Sequence, residues 1–275
     1  MKAMYFVALF KLLPLDFEEM KSSALLSESY TEAALKGFYP AIFDRDINPR
    51  IFYSNYVQTY IEKDVTELLN IKDLKLFRNF LSLCAARAGQ LLNLNSLANE
   101  CDISHPTAKS WLSLLERSYL FFLLQPYHQN FNKRIVKSPK LYFYDTGLLN
   151  FLLGVKTSGQ LELDRLKGNI FENMIVAEFQ KRNHHDYLLH EYNFWQDSNG
   201  NEIDILMKTE NGFDAFEVKA TQTITSNLFK QLDRFGETAS PSLVNKTLIY
   251  GGLENQRRTK YSVTSWKNLT SSIIG

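Results

Sequence analysis

Asn201-Glu202-Ile203-Asp204 and, past a turn at Asn211-Gly212, Phe216-Glu217-Val218-Lys219 decide how this chain is read. Both runs alternate apolar and polar residues, the pattern of strands. Side chains two residues apart on a strand share a face. Ala215, Glu217 and Lys219 therefore share one face, and Phe216 and Val218 point the other way into a core. On the preceding strand Glu202, Asp204 and Leu206 are expected on one face, opposite Ile203, Ile205 and Met207. Antiparallel pairing across the hairpin then brings Asp204 beside Glu217. Two carboxylates and a backbone carbonyl can hold Mg²⁺, and such hard-oxygen sites serve phosphodiester cleavage. Asp204 and Glu217 are thus the candidate metal ligands. Lys219 is the candidate group to orient or activate an attacking water, or to stabilise charge on phosphate. Glu172, early in a long helix, is expected to close the site from above. The competing reading is that an E-x-K at a strand end is solvated and inert.

Outward from this pair the pattern continues. A long helix is expected from Leu166 to Asn183, then strands at His190–Trp195, Glu202–Lys208 and Phe213–Lys219. A helix at Asn227–Glu237 and a strand at Lys246–Tyr250 complete an α/β sandwich. Gln231, after the core motif, reads as solvent-facing in preference to a phosphate contact.

Upstream the signals are helical. Residues 5 to 15 read as a buried strand, 16 to 37 as two short helices, and Gly37–Pro49 as a loop. A helix begins at Arg50, with Ile51, Tyr53, Val57, Tyr60, Ile61 and Val65 near a 3.6 period. Another spans Asp73–Gly89. A short helix capped by Asn95 or Ser96 follows, then a longer one capped by Ser104 with Ala108, Trp111, Leu112 and Leu115 as its stripe. Strands at Phe121–Gln125 and Lys140–Tyr144 flank a basic turn. Short helix, turn, longer helix and hairpin are the order of a winged helix. Its groove-facing residues would be His105, Thr107 and Lys109 at the helix start, with Lys133, Arg134, Lys137 and Lys140 on the wing. DNA is the partner this patch fits; docking of a protein partner is the alternative. Asp145-Thr146-Gly147 opens a further short helix. Gly154–Gln160 reads as a linker, which divides the chain into residues 1–50, 51–158 and 159–275.

Composition bounds these readings. Across 275 residues, 31 Lys and Arg against 30 Asp and Glu leave a net charge of +1. No global field draws the chain to nucleic acid, so such binding needs a local patch. Hydrophobic residues make up 45%, with 14 Tyr and 20 Phe, enough for real cores. Cys84 and Cys101 have no CxxC or zinc spacing and read as structural thiols of a reducing, cytoplasmic compartment. Lys11 interrupts the apolar start, and no stretch reaches the roughly 18 apolar residues of a bilayer span, so no membrane partner is expected.

Several separate motifs occur in one order: Asn55 to Gly89, Gln90 to Leu97 with Ser104 to Lys109, Val136 to Leu148, and Gly168 to Glu172. Together they resemble a large bacterial and archaeal family of predicted AAA-type ATPases. The C-terminal half of that family is a domain of unknown function with a PD-(D/E)XK nuclease-like fold. The resemblance runs from about Leu12 to the end. It implies an α+β and α/β fold class: a helical winged-helix-like domain followed by a PD-(D/E)XK nuclease-like α/β domain. The family's nuclease-like positions fall on Glu172, Asp204, Glu217 and Lys219. Its N-terminal half carries an ATPase core, yet no G-x-x-x-x-G-K-[ST] occurs in this sequence, and Lys11 to Met20 resembles the segment just after that core. The resemblance therefore implies a C-terminal portion that binds no ATP itself, with Mg²⁺ as the expected cofactor. A separately encoded ATPase core is then a possible partner. Three functions stay open: a nucleic-acid- or protein-binding module, a Mg²⁺-dependent DNA nuclease, and a structural remnant.

Overall fold

The computed structural model describes residues 11–65, 67, 71, 73–127, 136–239 and 243–269. Of the strand expected over residues 5–15, 5–10 lie outside the described residues and 11–15 are irregular, with Leu15 N donating to Phe38 O at 2.8 Å. Helices α1 (Phe17–Ser22) and α2 (Tyr30–Lys36) follow. The expected loop after them contains α3 (Pro40–Asp44). Helix α4 (Pro49–Tyr56) starts on a proline, whose missing N–H costs nothing at a first turn. It runs on as a π-helical stretch, Val57–Val65. Ile51, expected on the apolar side, is exposed.

Helix α5 (Leu74–Ala86) is capped by Asp73. Helix α6 (Leu94–Glu100) is capped by Asn93, two or three residues before the expected caps Asn95 and Ser96. Helix α7 (His105–Arg117) is capped by Ser104, which accepts from Thr107 N. Trp111, Leu112 and Leu115 are buried, as their spacing predicts. Strands β1 (Phe121–Leu124) and β2 (Lys140–Phe143) form an antiparallel pair. Helix α8 (Thr146–Leu153) is capped by Asp145, and α9 (Ser158–Leu163) starts inside the expected linker Gly154–Gln160 and runs past its end.

The long helix α10 (Lys167–His185) precedes β3 (Tyr192–Gln196), β4 (Glu202–Thr209) and β5 (Gly212–Lys219). A short 3₁₀ turn leads into α11 (Lys230–Ala239), then β6 (Leu243–Tyr250), β7 (Gln256–Arg257) and β8 (Ser262–Ser265). The sheet order is β3-β4-β5-β6-β8-β7. The meander β3–β5 is antiparallel, β6 runs parallel to β5 and β8, and β7 is antiparallel to β8. The architecture is mixed, helices packed on and around sheet. Ile205, Met207, Phe216, Val218 and Ile249 share a core with Ile170, Met174 and Phe179 of α10. Ile203, Leu206, Ala215 and Leu248 instead pack with Leu232 and Phe235 of α11.

One register shift corrects the expected facing of β4. Asn193 pairs with Leu206, but Trp195 pairs with Ile203. Phe194 alone therefore opposes both Asp204 and Ile205, which is a β-bulge. The extra residue restarts the alternation. Ile203 and Leu206 both face α11, so Leu206 does not share the face of Glu202 and Asp204.

The hairpin is tied to both halves. Ala88 bridges Leu141 and Leu91 bridges Lys140. Beyond β1 the chain runs along β3, where Tyr127 N donates to Phe194 O at 2.7 Å and Phe194 N to Gln125 O at 3.2 Å. Asn173 of α10 clamps β2: its Oδ1 accepts from Phe143 N at 2.8 Å and its Nδ2 donates to Phe143 O at 2.7 Å. An apolar cluster extends from Leu13 to Leu269 through helices, hairpin and one sheet face.

Candidate functional site

The pairing Ile205↔Phe216 is the last of the β4–β5 ladder, and one step beyond it Asp204 stands opposite Glu217. Beyond the end of that ladder Asp204 Oδ2 accepts from Val218 N at 2.7 Å. Lys219 joins the two acids, 2.5 Å from Glu217 Oε1 and 3.5 Å from Asp204 Oδ2. Glu217 and Asp204 are buried, whereas the Lys219 side chain is partly open at 38%. The expected trio is therefore together at one end of β4 and β5.

Glu172 enters from α10. Its Oε1 accepts from Lys140 Nζ at 2.9 Å and from the Tyr142 hydroxyl at 2.5 Å. Glu202, not among the expected site residues, pairs with the same Lys140 and accepts from Gln196 Nε2 at 2.8 Å. Ligand oxygens of Glu172, Glu202 and Asp204 lie within 4.8 Å of one another. A metal here would meet this triple first, with Glu217 tied to it through Lys219.

Electrostatics set the character of this pocket. Burial pushes the Glu217 carboxyl well above the ordinary carboxylate range; the Asp204 charge adds to this and Lys219 opposes it. Burial likewise raises Glu172 and Glu202, against the pull of Lys140. Burial alone would depress Lys140, but Glu172, Tyr142 and Glu202 overcome it and hold the ammonium well above its usual range. Lys219 is held above its usual range in the same way by Asp204 and Glu217. Four carboxylates thus face two ammonium groups. Full ionisation would leave two negative charges uncompensated, and buried charge is stable only when paired. Among the described residues no donor reaches Glu217 Oε2.

The nucleic-acid set divides. His105 and Lys109 are exposed at the start of α7, and Thr107 is half-buried with its hydroxyl 2.7 Å from that of Ser104. Lys137 is exposed, while Lys133 and Arg134 lie outside the described residues. Lys140 corrects the expectation: it is 3% exposed and committed to Glu172 and Glu202, so it faces the carboxylates and adds nothing to a basic surface. Gln231 is half-buried in the first turn of α11.

A second acidic group lies elsewhere. Asp16 and Glu19 form a reciprocal cap on α1, each side chain accepting from the other's backbone N–H at 2.9 Å. His185, at the end of α10, hydrogen-bonds Asp16 Oδ2 at 2.8 Å. That bond holds His185 above its usual range. Both groups can in principle chelate a divalent metal. Beside the sheet-end group lies Glu217, whose buried Oε2 has no donor among the described residues. Glu202 carried a signal in its spacing to Asp204, whereas Lys140, Tyr142 and His185 carried none beyond residue type.

Two family models match the chain, both described as domains of unknown function: DUF8612 over residues 27–159 and DUF4143 over residues 167–269. An uncharacterised protein of Mycobacterium tuberculosis is 27% identical over 191 residues, 69% of this chain and 42% of that protein. An uncharacterised Haemophilus influenzae protein is 23% identical over 186 residues, 62% of this chain and 44% of its own length. The chain thus spans less than half the length of these curated relatives. No solved structure matches it.

Proposed function

We propose that this chain is a divalent-cation-binding module of the PD-(D/E)XK nuclease-like type, carried beside a winged-helix-like unit that meets nucleic acid. The observation that carries the reading is the convergence of Glu172, Glu202, Asp204 and Glu217 with Lys219 at one end of β4 and β5. The donors fit a hard cation: they are all carboxylate oxygens, and Glu217 Oε2 is buried without a donor. Glu172, Glu202 and Asp204 would hold the ion, with Glu217 beside them. A bound Mg²⁺ supplies Lewis-acid polarisation of a phosphoryl oxygen and a more acidic water. Lys219, the more open cation of the pair, is the group placed to meet phosphate. The order α6, α7, β1, β2 supports the winged-helix-like reading, with exposed His105, Lys109 and Lys137 available to DNA. No phosphate-binding loop motif occurs in the sequence, so the proposal includes no ATP hydrolysis by these residues.

A second reading has its own support. Lys140 and Lys219 already pair with all four carboxylates, so the cluster serves equally as a structural ion-pair network in a binding module without catalysis. The test between them is supercoiled-plasmid nicking by the purified chain with Mg²⁺ or Mn²⁺. Metal-dependent nicking that Lys219→Met abolishes is the outcome of the nuclease reading. DNA retention without nicking, at any metal concentration, leaves the binding module.

A further inference from the structure

The cluster's counter-charge comes from outside the sheet that carries most of its acids. Lys140 and Tyr142 both lie on β2, two residues apart and hence on one face, and both reach Glu172. Lys140 also pairs with Glu202, so its ammonium sits between two members of the triple whose oxygens approach within 4.8 Å. A divalent ion drawn to Glu172, Glu202 and Asp204 would meet a like charge already in contact with two of them.

We infer that Lys140 is a built-in counter-cation which a divalent ion must displace, so that β2 sets the metal affinity of the site. This rests on the reading that the triple takes a metal. The backbone of β2 is fixed by the Leu91–Lys140 bridge, by Leu92 N donating to Pro139 O at 2.8 Å and by the Asn173 clamp on Phe143. Displacement is therefore a side-chain event, for which a flexible four-carbon stem suffices. The face of Phe194 offers the ammonium a second partner, its centroid 5.6 Å away. Tyr142 keeps its hydrogen bond to Glu172 Oε1 throughout, so the carboxylate stays oriented when the lysine leaves.

The test uses the full chain and Mn²⁺ alone, with free Mn²⁺ read by electron paramagnetic resonance. Lys140→Met removes the competing charge. It should bind Mn²⁺ about tenfold more tightly or better, since a unit charge at contact distance is worth at least that. Lys140→Arg keeps the charge and should gain nothing. The metal-free Lys140→Met protein should melt lower than the parent and recover more on adding Mn²⁺. Lys140→Gln retains a donor for Glu172 and takes the place of the Met variant if that one does not fold. Saturable binding by the parent that tightens in Lys140→Met supports the inference. Equal or weaker binding than the parent overturns it and leaves the metal site standing. Absence of Mn²⁺ binding in parent and variants overturns the metal reading, and the inference with it.

Discussion

At single residues, period-two spacing carried most of what was legible. Asp204, Glu217 and Lys219 meet because two short strands pair through a short hairpin, and strand alternation fixes Glu217 and Lys219 on one face. Leu206 was misplaced because a bulge is a pairing property: Phe194 opposing two residues leaves no mark in the local sequence of β4. Lys140 was misread for a related reason. A lysine following Lys133, Arg134 and Lys137 looks like part of a basic turn, and only the fold shows Glu172 and Glu202 around it. Gly147 was legible as part of Asp-Thr-Gly, but its reason was not. Tyr53, 1% exposed, lies where a Cβ would project, and that Cβ would come within 2.6 Å of ring atom Cε2. Gly147→Ala gains helix propensity worth at most about 1 kcal/mol. The overpacking costs typically about 1–3 kcal/mol, because the Tyr53 ring is buried and its hydroxyl is held by Lys36 O at 3.1 Å. We expect net destabilisation, read as a lower denaturant midpoint with an unchanged slope; a neutral or stabilised variant would contradict this packing.

Among elements, α10 organises the molecule. It delivers Glu172 to the carboxylates, clamps β2 through Asn173, and buries the pair Glu178–Lys181. That pair ties down the start of the chain: Glu178 Oε1 accepts from Phe17 N at 2.7 Å, and Lys181 Nζ donates to Leu15 O at 2.6 Å. A helix this thoroughly buried has little amphipathic signal, so its length was legible and its polar contacts were not. Helix α7 is the opposite case, where one stripe of Trp111, Leu112 and Leu115 predicted the buried face. The end of α10 supplies a pH dependence. The hydrogen bond to Asp16 raises His185 above its usual value. Burial opposes the shift of Asp16, but the bonds from His185 and Glu19 hold it below the usual range. A raised histidine stabilises fully below its unfolded pKa of about 6.5, and this is lost as pH rises through the folded value. Parent stability should therefore fall from pH 6 upward relative to His185→Gln, the two converging at high pH. Denaturant melts across that range measure it, and parallel profiles would remove the His185–Asp16 bond from the account.

At the scale of the whole molecule, the candidate site is composite. Lys140 and Tyr142 come from the region matched by one family model, Glu172, Glu202, Asp204, Glu217 and Lys219 from the region matched by the other. Neither region alone contains both the acids and their full set of counter-charges. The helical half and the sheet are joined where β1 runs onto β3 and where β2 meets α10, which is the place the carboxylates occupy. Sequence periodicity reports elements one at a time and is silent on such junctions. The alternation of helices and strands did place a mixed α and β architecture in view, while the path of the sheet through β7 and β8 was not anticipated.

Whether these carboxylates take a divalent cation is decided by calorimetric titration of Mn²⁺ into the parent and Asp204→Asn. Asparagine keeps an oxygen for Val218 N, so the fold should persist with an unchanged circular dichroism spectrum. Saturable binding is expected in the parent and an affinity lower by about tenfold or more in the variant, as one charged ligand is lost. No saturable binding by the parent, or equal affinity in both proteins, would contradict it.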